Sequence, residues 1–109
     1  MTTINASEYQ EKGNEYAVYP SPFYPYFALV EEVGELYGKF SKMFRGDYTK
    51  EQLDEMEPKI QAEIGDILWN VSQICILRGY DMGDIMEKNL EKLEDRAERN
   101  KLKGEGDDR

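Results

Sequence analysis

Apolar residues recur at helical spacing in three long segments of the chain. In each segment they stand mostly three or four residues apart, which places them on one face of a helix. These positions are Leu29, Val33, Leu36 and Phe40 in the segment 26–44, Ile60, Ile64, Ile67, Val71 and Ile74 in 58–78, and Ile85, Leu90, Leu93 and Ala97 in 81–99. We expect these residues to point inward. No segment has the pattern of a β-strand, so the fold is predicted to be all-α.

Capping residues and helix breakers indicate where the helices begin and end. Asn5 or Ser7 can cap a first helix that runs to about Tyr16. The three prolines within 18–25 predict a stiff, aromatic connector. The other predicted boundaries are Gly46 at the end of the second helix, Thr49 as the cap of a short helix over 49–57, Pro58 in the first turn of the next helix, Gly79 at its end, and Asp81 as the cap of the last helix. We therefore expect one four- to five-helix domain over residues 1–100 and a flexible polar tail over 101–109.

The segment 58–78 is apolar on nearly all sides. Leu68, Trp69 and Ile76 lie outside its main apolar stripe, so one face of a small bundle cannot cover it. A chain of 109 residues has little else with which to bury this surface. We therefore expect an oligomer, a homodimer or a homotetramer.

Carboxylates interrupt two of these apolar runs. They are Glu31, Glu32 and Glu35 in ALVEEVGELYGKF, and Glu63 and Asp66 in AEIGDILWNV. Burying ionised carboxylates is costly unless a positive charge meets them. Residues three apart share a helix face, so packing the two helices would bring four carboxylates together as a cage for divalent cations. Such spacing is common in a chain with 23 acidic residues, and we interpret the acidic pairs at 8–11, 51–54 and 91–94 as solvated. The apolar surroundings of the two motifs at 31–35 and 63–66 favour a metal site there.

Composition narrows the chemistry of such a site. Histidine is absent and Cys75 is the single cysteine, which removes His-based catalysis and zinc ligation by Cys or His. Oxygen ligands select hard cations, so Mg²⁺ is expected, with Mn²⁺ as a substitute. A net charge of −9 argues against nucleic acid or an anionic membrane as a partner. The chain shows no signal peptide or membrane span, and one cysteine fits a reducing cytoplasm.

The basic and amide side chains on the second and last predicted helices can be interpreted in two ways. Lys39 and Lys42 follow the acidic residues of the second helix, and Asn89, Lys92 and Arg96 stand three and four residues apart on the last helix. They form either solvated polar faces or, beside a metal cage, a clamp for phosphate oxygens.

At these residues the chain resembles the MazG-like all-α nucleoside triphosphate pyrophosphohydrolases. The pattern E-E-x-x-E followed by E-x-x-D is present as Glu31-Glu32-x-x-Glu35 and Glu63-x-x-Asp66, within LVEEVGEL and EIGDILWNV. NLEKLEDR near the C-terminus also matches, so the resemblance covers roughly residues 25–99. The single compact module is similar to the small stand-alone and phage-encoded forms.

The resemblance implies Mg²⁺-dependent hydrolysis of a (deoxy)nucleoside triphosphate to the monophosphate and pyrophosphate, in the cytoplasm of the host if the protein is phage-encoded. The implied roles are metal ligation for Glu32, Glu35, Glu63 and Asp66, an auxiliary acid for Glu31, nucleotide contact for Asn70, and phosphate contact for Asn89, Lys92 and Arg96. Relatives of this kind form dimers or tetramers. The aromatic residues and Asn70 favour a purine slightly.

Other functions remain open at this point. A sister activity of the same superfamily, restricted to dUTP or dCTP or acting on phosphoribosyl-ATP, would use the same motifs. A non-enzymatic helical interaction module would use the acids only for solubility. A calcium sensor is disfavoured, because the chain has no D-x-[DN]-x-[DN]-G loop.

Overall fold

The computed structural model describes residues 3–99, which form four α-helices. These are α1 (Ala6–Asn14), α2 (Tyr24–Arg45), α3 (Lys50–Arg78) and α4 (Met82–Glu98). The described residues contain no strand, which confirms the all-α prediction. None of these helices is both long and apolar enough to cross a membrane. The predicted tail over 101–109 lies outside the described residues.

Short polar side chains cap three of the helices, as the sequence predicts. The Asn5 side chain accepts the Glu8 N–H at 2.9 Å before α1. Thr49 and Gln52 form a reciprocal capping box before α3, in which each side chain accepts the other's backbone N–H. Asp81 caps α4 through two backbone N–H groups. These local bonds satisfy donors that the first turn of a helix otherwise leaves unpaired.

The predicted break between a short helix and a second helix at Pro58 is wrong, because α3 runs without interruption from Lys50 to Arg78. Proline inside a helix removes one backbone hydrogen bond and usually costs about 3 kcal/mol. Met56 and Ile60 are both buried on either side of Pro58. Burial of both flanking side chains holds the two parts of α3 in line against the rest of the protein. Gly46 and Gly79 end α2 and α3 in the left-handed conformation, as predicted.

The hairpin of α2 and α3 is the main packing unit, α1 lies against α3, and α4 lies mainly against α1. The buried apolar core is small: it consists of Ala28, Met56, Ile60, Cys75 and Met82. Part of the interior is polar, since Gln73 and Ser72 are fully buried. This arrangement leaves the carboxylate-bearing faces of α2 and α3 opposite each other.

Within one protomer, the prediction that all apolar stripes point inward is partly wrong. Val33, Ile64, Ile85, Leu90 and Leu93 are all exposed by more than a third of their surface. These side chains stay exposed because α4 packs mainly against the short α1 and does not cover the long hairpin of α2 and α3. A second exposed apolar stripe follows α2 on the side away from α3, and it comprises Phe27, Val30, Tyr37 and Phe44.

Candidate active site

The carboxylates of Glu32, Glu63 and Asp66 converge between α2 and α3. One oxygen from each lies within 4.8 Å of the others. Glu32 comes from the middle of α2, and Glu63 and Asp66 come from one face of α3. The antiparallel hairpin therefore brings together residues that are about thirty positions apart in the sequence.

The donor set fits a hard divalent cation. In octahedral coordination Mg²⁺ holds oxygens at about 2.1 Å, so that two ligand oxygens lie at most about 4.2 Å apart. The three oxygens lie within 4.8 Å of one another, which is close to that limit. In addition, Oε2 of Glu63 is buried and has no hydrogen-bond partner among the described residues. A buried carboxylate oxygen without a donor is costly, and a bound cation would satisfy it.

Lys39 meets the other oxygen of Glu63. Its Nζ atom lies 3.0 Å from Oε1 of Glu63, and both side chains are largely shielded from solvent. Lys39 is one helical turn beyond Glu35 on α2, so the same helix face supplies acids and their counter-charge. The pair gives Oε1 of Glu63 a positively charged donor, while the buried Oε2 has no hydrogen-bond partner among the described residues.

The crowded carboxylates shift one another's pKa values. Hydrogen bonding to Glu63, followed by burial and the charges of Glu63, Glu35 and Asp66, raises the pKa of Glu32 to about 7. Hydrogen bonds to Glu63 from Glu32 and then from Lys39 lower the pKa of Glu63. Of these two carboxyl groups, Glu32 is therefore the one that takes up a proton at the higher pH, and Glu63 beside the Lys39 ammonium is the more acidic. The cluster is poised to exchange a proton for a cation near neutral pH.

Glu35 and Glu31 lie at the edge of the cluster. Glu35 is not among the three converging carboxylates, but interaction with Glu63, first by hydrogen bonding and then by charge, raises the pKa of Glu35. The neighbouring charge of Glu31 contributes to the same shift. Both side chains belong to exposed residues. Among the four acids expected as ligands, the structure thus brings three together and leaves Glu35 beside them, open to solvent.

The proton on Glu32 predicts a pH dependence of metal-free stability. The unfolded carboxyl of Glu32 titrates near 4.5 and the folded one near 7, so the folded state binds the extra proton between these values. Its stabilising contribution is complete below about 4.5 and is lost as the pH rises through 7. The lowered pKa of Glu63 acts in the opposite sense, but below about 4.5.

We therefore expect the melting temperature of the wild type in EDTA to fall between pH 5 and 7.5, and the Glu32→Gln variant to show a flatter profile. Stabilisation by Mg²⁺ should increase over the same range, because the metal displaces the proton. Thermal melts in buffers of matched ionic strength measure both effects. Glu91→Gln, an exposed acid on α4, is the control and should follow the wild type. A profile of Glu32→Gln as steep as that of the wild type would contradict this prediction.

Asn70 and Tyr9 add polar groups near the acids. Asn70 is buried one turn beyond Asp66 and donates its side-chain N–H to the Asp66 carbonyl at 2.9 Å. Its Oδ1 atom is buried without a partner among the described residues, so it is available to a donor on a ligand. Tyr9 of α1 lies close enough to Asp66 that, after burial, the Asp66 charge contributes to raising the pKa of Tyr9. The sequence motifs do not predict a place for Tyr9 in the site, because Tyr9 comes near Asp66 only through the packing of α1 on α3.

An aromatic recess of about 350 Å³ lies beside Trp69, three residues after Asp66 on α3. Its walls are Tyr16, Val18, Tyr19, Pro20, Tyr24 and Trp69. Tyr19 stacks on Tyr24 with ring centres 5.3 Å apart and meets the edge of Trp69. The Tyr19 hydroxyl also donates to Gln73, and the Trp69 N–H donates to the Gly13 carbonyl at 2.9 Å. These bonds fasten the connector and α1 to α3.

The basic residues expected to bind phosphate are divided between two places. Lys39 lies inside the carboxylate cluster, whereas Lys42 is exposed one turn further along α2. Asn89, Lys92 and Arg96 lie on α4, which packs mainly against α1, and the main effects on the pKa values of Glu32, Glu35 and Glu63 come from side chains of α2 and α3. Asn89 and Lys92 border a shallow recess on α4.

Arg96 differs from the expectation of an exposed face. It is only 5% exposed, whereas Lys92 on the same helix is exposed. For Arg96 the interpretation as part of a solvated polar face is therefore wrong. A helical spacing of four residues places two side chains on one face, but it does not show which of them the surrounding chain covers.

Comparison with known proteins connects this geometry to a family. Residues 26–100 match the family model described as the MazG nucleotide pyrophosphohydrolase domain. The chain is also 32% identical over 113 aligned positions to the Gene 37 protein of Mycobacterium phage L5, an alignment that covers 93% of this chain and 96% of the phage protein. No solved structure matches the chain significantly. The matched region contains all of the converging carboxylates.

Proposed function

Because this chain belongs to the MazG nucleotide pyrophosphohydrolase family, we propose that it hydrolyses a nucleoside or deoxynucleoside triphosphate to the monophosphate and pyrophosphate with the help of Mg²⁺. Family membership supports nucleotide pyrophosphohydrolase activity in general. The observation that best supports the metal-dependent reaction is the convergence of Glu32, Glu63 and Asp66, together with a buried oxygen of Glu63 that has no hydrogen-bond partner among the described residues. The phage relative agrees with a small, phage-type form of the family.

In this proposal Glu32, Glu63 and Asp66 hold the metal. When bound, Mg²⁺ neutralises the triphosphate and lowers the pKa of a coordinated water. Glu35 lies beside the cluster and its pKa is raised, so it is suited to accept the proton of the attacking water. Glu31 next to it can orient that water. The water oxygen forms a bond to the α-phosphorus, the bond from this phosphorus to the bridging oxygen breaks, and pyrophosphate leaves.

Asn70 is proposed to contact the nucleotide. Its Oδ1 atom is buried and lacks a donor among the described residues, and a hydroxyl or amino group of a nucleotide would supply one. Asn89, Lys92, Arg96 and Lys42 are proposed to contact phosphate oxygens. The three residues on α4 would make this contact to a cluster on another protomer, because α4 packs mainly against α1 of its own protomer.

Product analysis tests the proposed reaction. Purified protein with Mg²⁺, and separately with Mn²⁺, should convert at least one common triphosphate to the monophosphate with release of pyrophosphate. Ion-exchange chromatography of the products distinguishes this from release of orthophosphate. Diphosphate plus orthophosphate would indicate a different class of phosphohydrolase. Absence of turnover on every triphosphate tested, including phosphoribosyl-ATP, would favour the non-enzymatic interaction module.

The aromatic recess beside Trp69 supports a purine as the preferred base, because a bicyclic ring offers the larger area for stacking on aromatic side chains. A substrate panel of purine and pyrimidine triphosphates, each with ribose and deoxyribose, tests this preference. A clear preference for dUTP or dCTP would assign the chain to the pyrimidine-restricted sister activity instead.

We also propose that the protein is a homodimer or a homotetramer. The apolar surface on α3 and α4 is large for a soluble monomer, and Leu68 in its middle is 50% exposed. The separate stripe on α2, in which Phe44 is 84% exposed, supplies a second face and supports a tetramer.

Light scattering at micromolar concentration should report at least twice the protomer mass. Leu68→Glu should lower this mass, because a charge placed in an apolar interface cannot be solvated there. Val18→Glu is a suitable control, because Val18 is 89% exposed and belongs to the connector, not to α2, α3 or α4. A wild-type protein that is monomeric under these conditions would contradict the proposal.

A further inference from the structure

Lys39 is paired with a carboxylate of the cluster, whereas the neighbouring lysines are exposed. Its ammonium group contacts Oε1 of Glu63 at 3.0 Å, and its side chain is 22% exposed. Lys42, one turn further on the same helix, is exposed. Lys59 lies one turn before Glu63 on α3 and is also exposed. Among these three lysines, only Lys39 is shown paired with a member of the carboxylate cluster.

This contact places a positive charge inside a cluster that fits a divalent cation. The three converging carboxylates carry up to three negative charges, and the Lys39 ammonium offsets one of them. An ammonium and a divalent cation that share one carboxylate would lie only a few ångströms apart. At that separation the two positive charges repel each other, because a protein surface screens charges less than bulk water does. Both cannot occupy the cluster without strain.

The side chain of Lys39 is suited to move out of the carboxylate cluster. Its ammonium is a compact, strongly hydrated charge on a flexible four-carbon stem, and it forms no bidentate pair that would lock it to the carboxylate. A rotation of the stem carries the charge out of the cluster toward solvent. The metal-bound triphosphate would approach from that open side, since Glu35 and Glu31 at the edge are exposed.

We propose that Lys39 is the built-in counter-ion of the metal-free cluster, that it competes with the divalent cation for Glu63, and that its release upon metal binding provides an ammonium group for the incoming triphosphate. This inference rests on the proposed metal-dependent function and extends it. It makes Lys39 a positioning residue that links metal occupancy to nucleotide affinity. Metal and nucleotide then bind with positive cooperativity, in part because the metal frees Lys39.

The first test is metal affinity in the absence of nucleotide. Mn²⁺ titrations followed by electron paramagnetic resonance would compare the wild type with Lys39→Met, Lys39→Gln and Lys39→Arg. Removal of the competing charge should tighten Mn²⁺ binding of the Met and Gln variants by about tenfold or more. Lys39→Arg keeps the charge and should not tighten binding. Lys59→Met removes an exposed charge one helical turn before Glu63 on α3 and should change the affinity by less than about threefold.

The second test is the coupling to nucleotide. A non-hydrolysable α,β-methylene triphosphate should increase the Mn²⁺ affinity of the wild type, and this increase should be at least about threefold smaller in Lys39→Met. Circular dichroism establishes that each variant is folded. Lys39→Gln serves as the alternative if the Met variant does not fold.

The outcomes separate this inference from the proposed function. A wild type that binds no Mn²⁺ would overturn both. A wild type that binds Mn²⁺, together with Met and Gln variants of equal or weaker affinity, would overturn the role of Lys39 and leave the metal site standing. Equal tightening in Lys59→Met would also overturn it, because the effect would then reflect net charge alone.

Discussion

Asp66→Asn and Glu35→Gln are each expected to abolish turnover while leaving the helical circular dichroism spectrum unchanged. Asp66 is one of the three converging carboxylates, and Glu35 is the proposed acceptor of the proton from water. Loss of a group that acts on the metal or on the developing charge lowers kcat by roughly a hundredfold or more. The measurement is a pyrophosphate-release assay at saturating Mg²⁺.

Neither substitution should unfold the protein. Asp66 and Glu35 are exposed residues, and removing one of several like charges relieves repulsion in the metal-free state. The melting temperature in EDTA should therefore stay the same or rise. Glu91→Gln provides the control for the loss of one acid and should retain activity. If both site variants keep rates near that of the wild type, the interpretation of the carboxylate cluster as a metal cage is wrong.

The variants Lys92→Ala and Arg96→Ala should behave differently from each other, because Lys92 is exposed and Arg96 is buried. Removal of an exposed lysine changes stability by less than about 0.5 kcal/mol. If Lys92 binds a phosphate oxygen, however, the loss of about 1.5–3 kcal/mol corresponds to a roughly ten- to hundredfold decrease in kcat/KM. Lys92→Ala should therefore lower kcat/KM with little change in the melting temperature.

Arg96→Ala should lower both quantities. A buried arginine packs its aliphatic stem as well as its charged group, so truncation removes packing and leaves its contacts unmet. A loss of stability of about 1–3 kcal/mol is expected. Melting curves measured beside steady-state kinetics distinguish the two residues. Unchanged kcat/KM in Lys92→Ala would assign that residue to a solvated surface, and an unchanged melting temperature in Arg96→Ala would show that its burial does not stabilise the fold.

The sequence by itself determined the local features of this protein. Asn5, Thr49 and Asp81 cap helices as predicted because a cap depends on backbone donors only two or three residues away. Gly46 and Gly79 end helices for the equally local reason that glycine readily adopts a positive φ angle. The absence of histidine and the acidic motifs indicate a hard cation, because ligand chemistry depends on which side chains are present.

Only the tertiary structure decided which side chains share the site. Helical spacing shows that Glu32 and Glu35 are on one face of α2, but the rotation of α2 against α3 selects Glu32 for the converging group and leaves Glu35 at its edge. The same rotation places Lys39 against Glu63. α3 is also continuous through Pro58, with Met56 and Ile60 buried on either side of it. The physical reason is that spacing along the chain specifies a direction around one helix axis, whereas the depth of a side chain and its partners depend on how two helices pack, and that depends on contacts between distant residues.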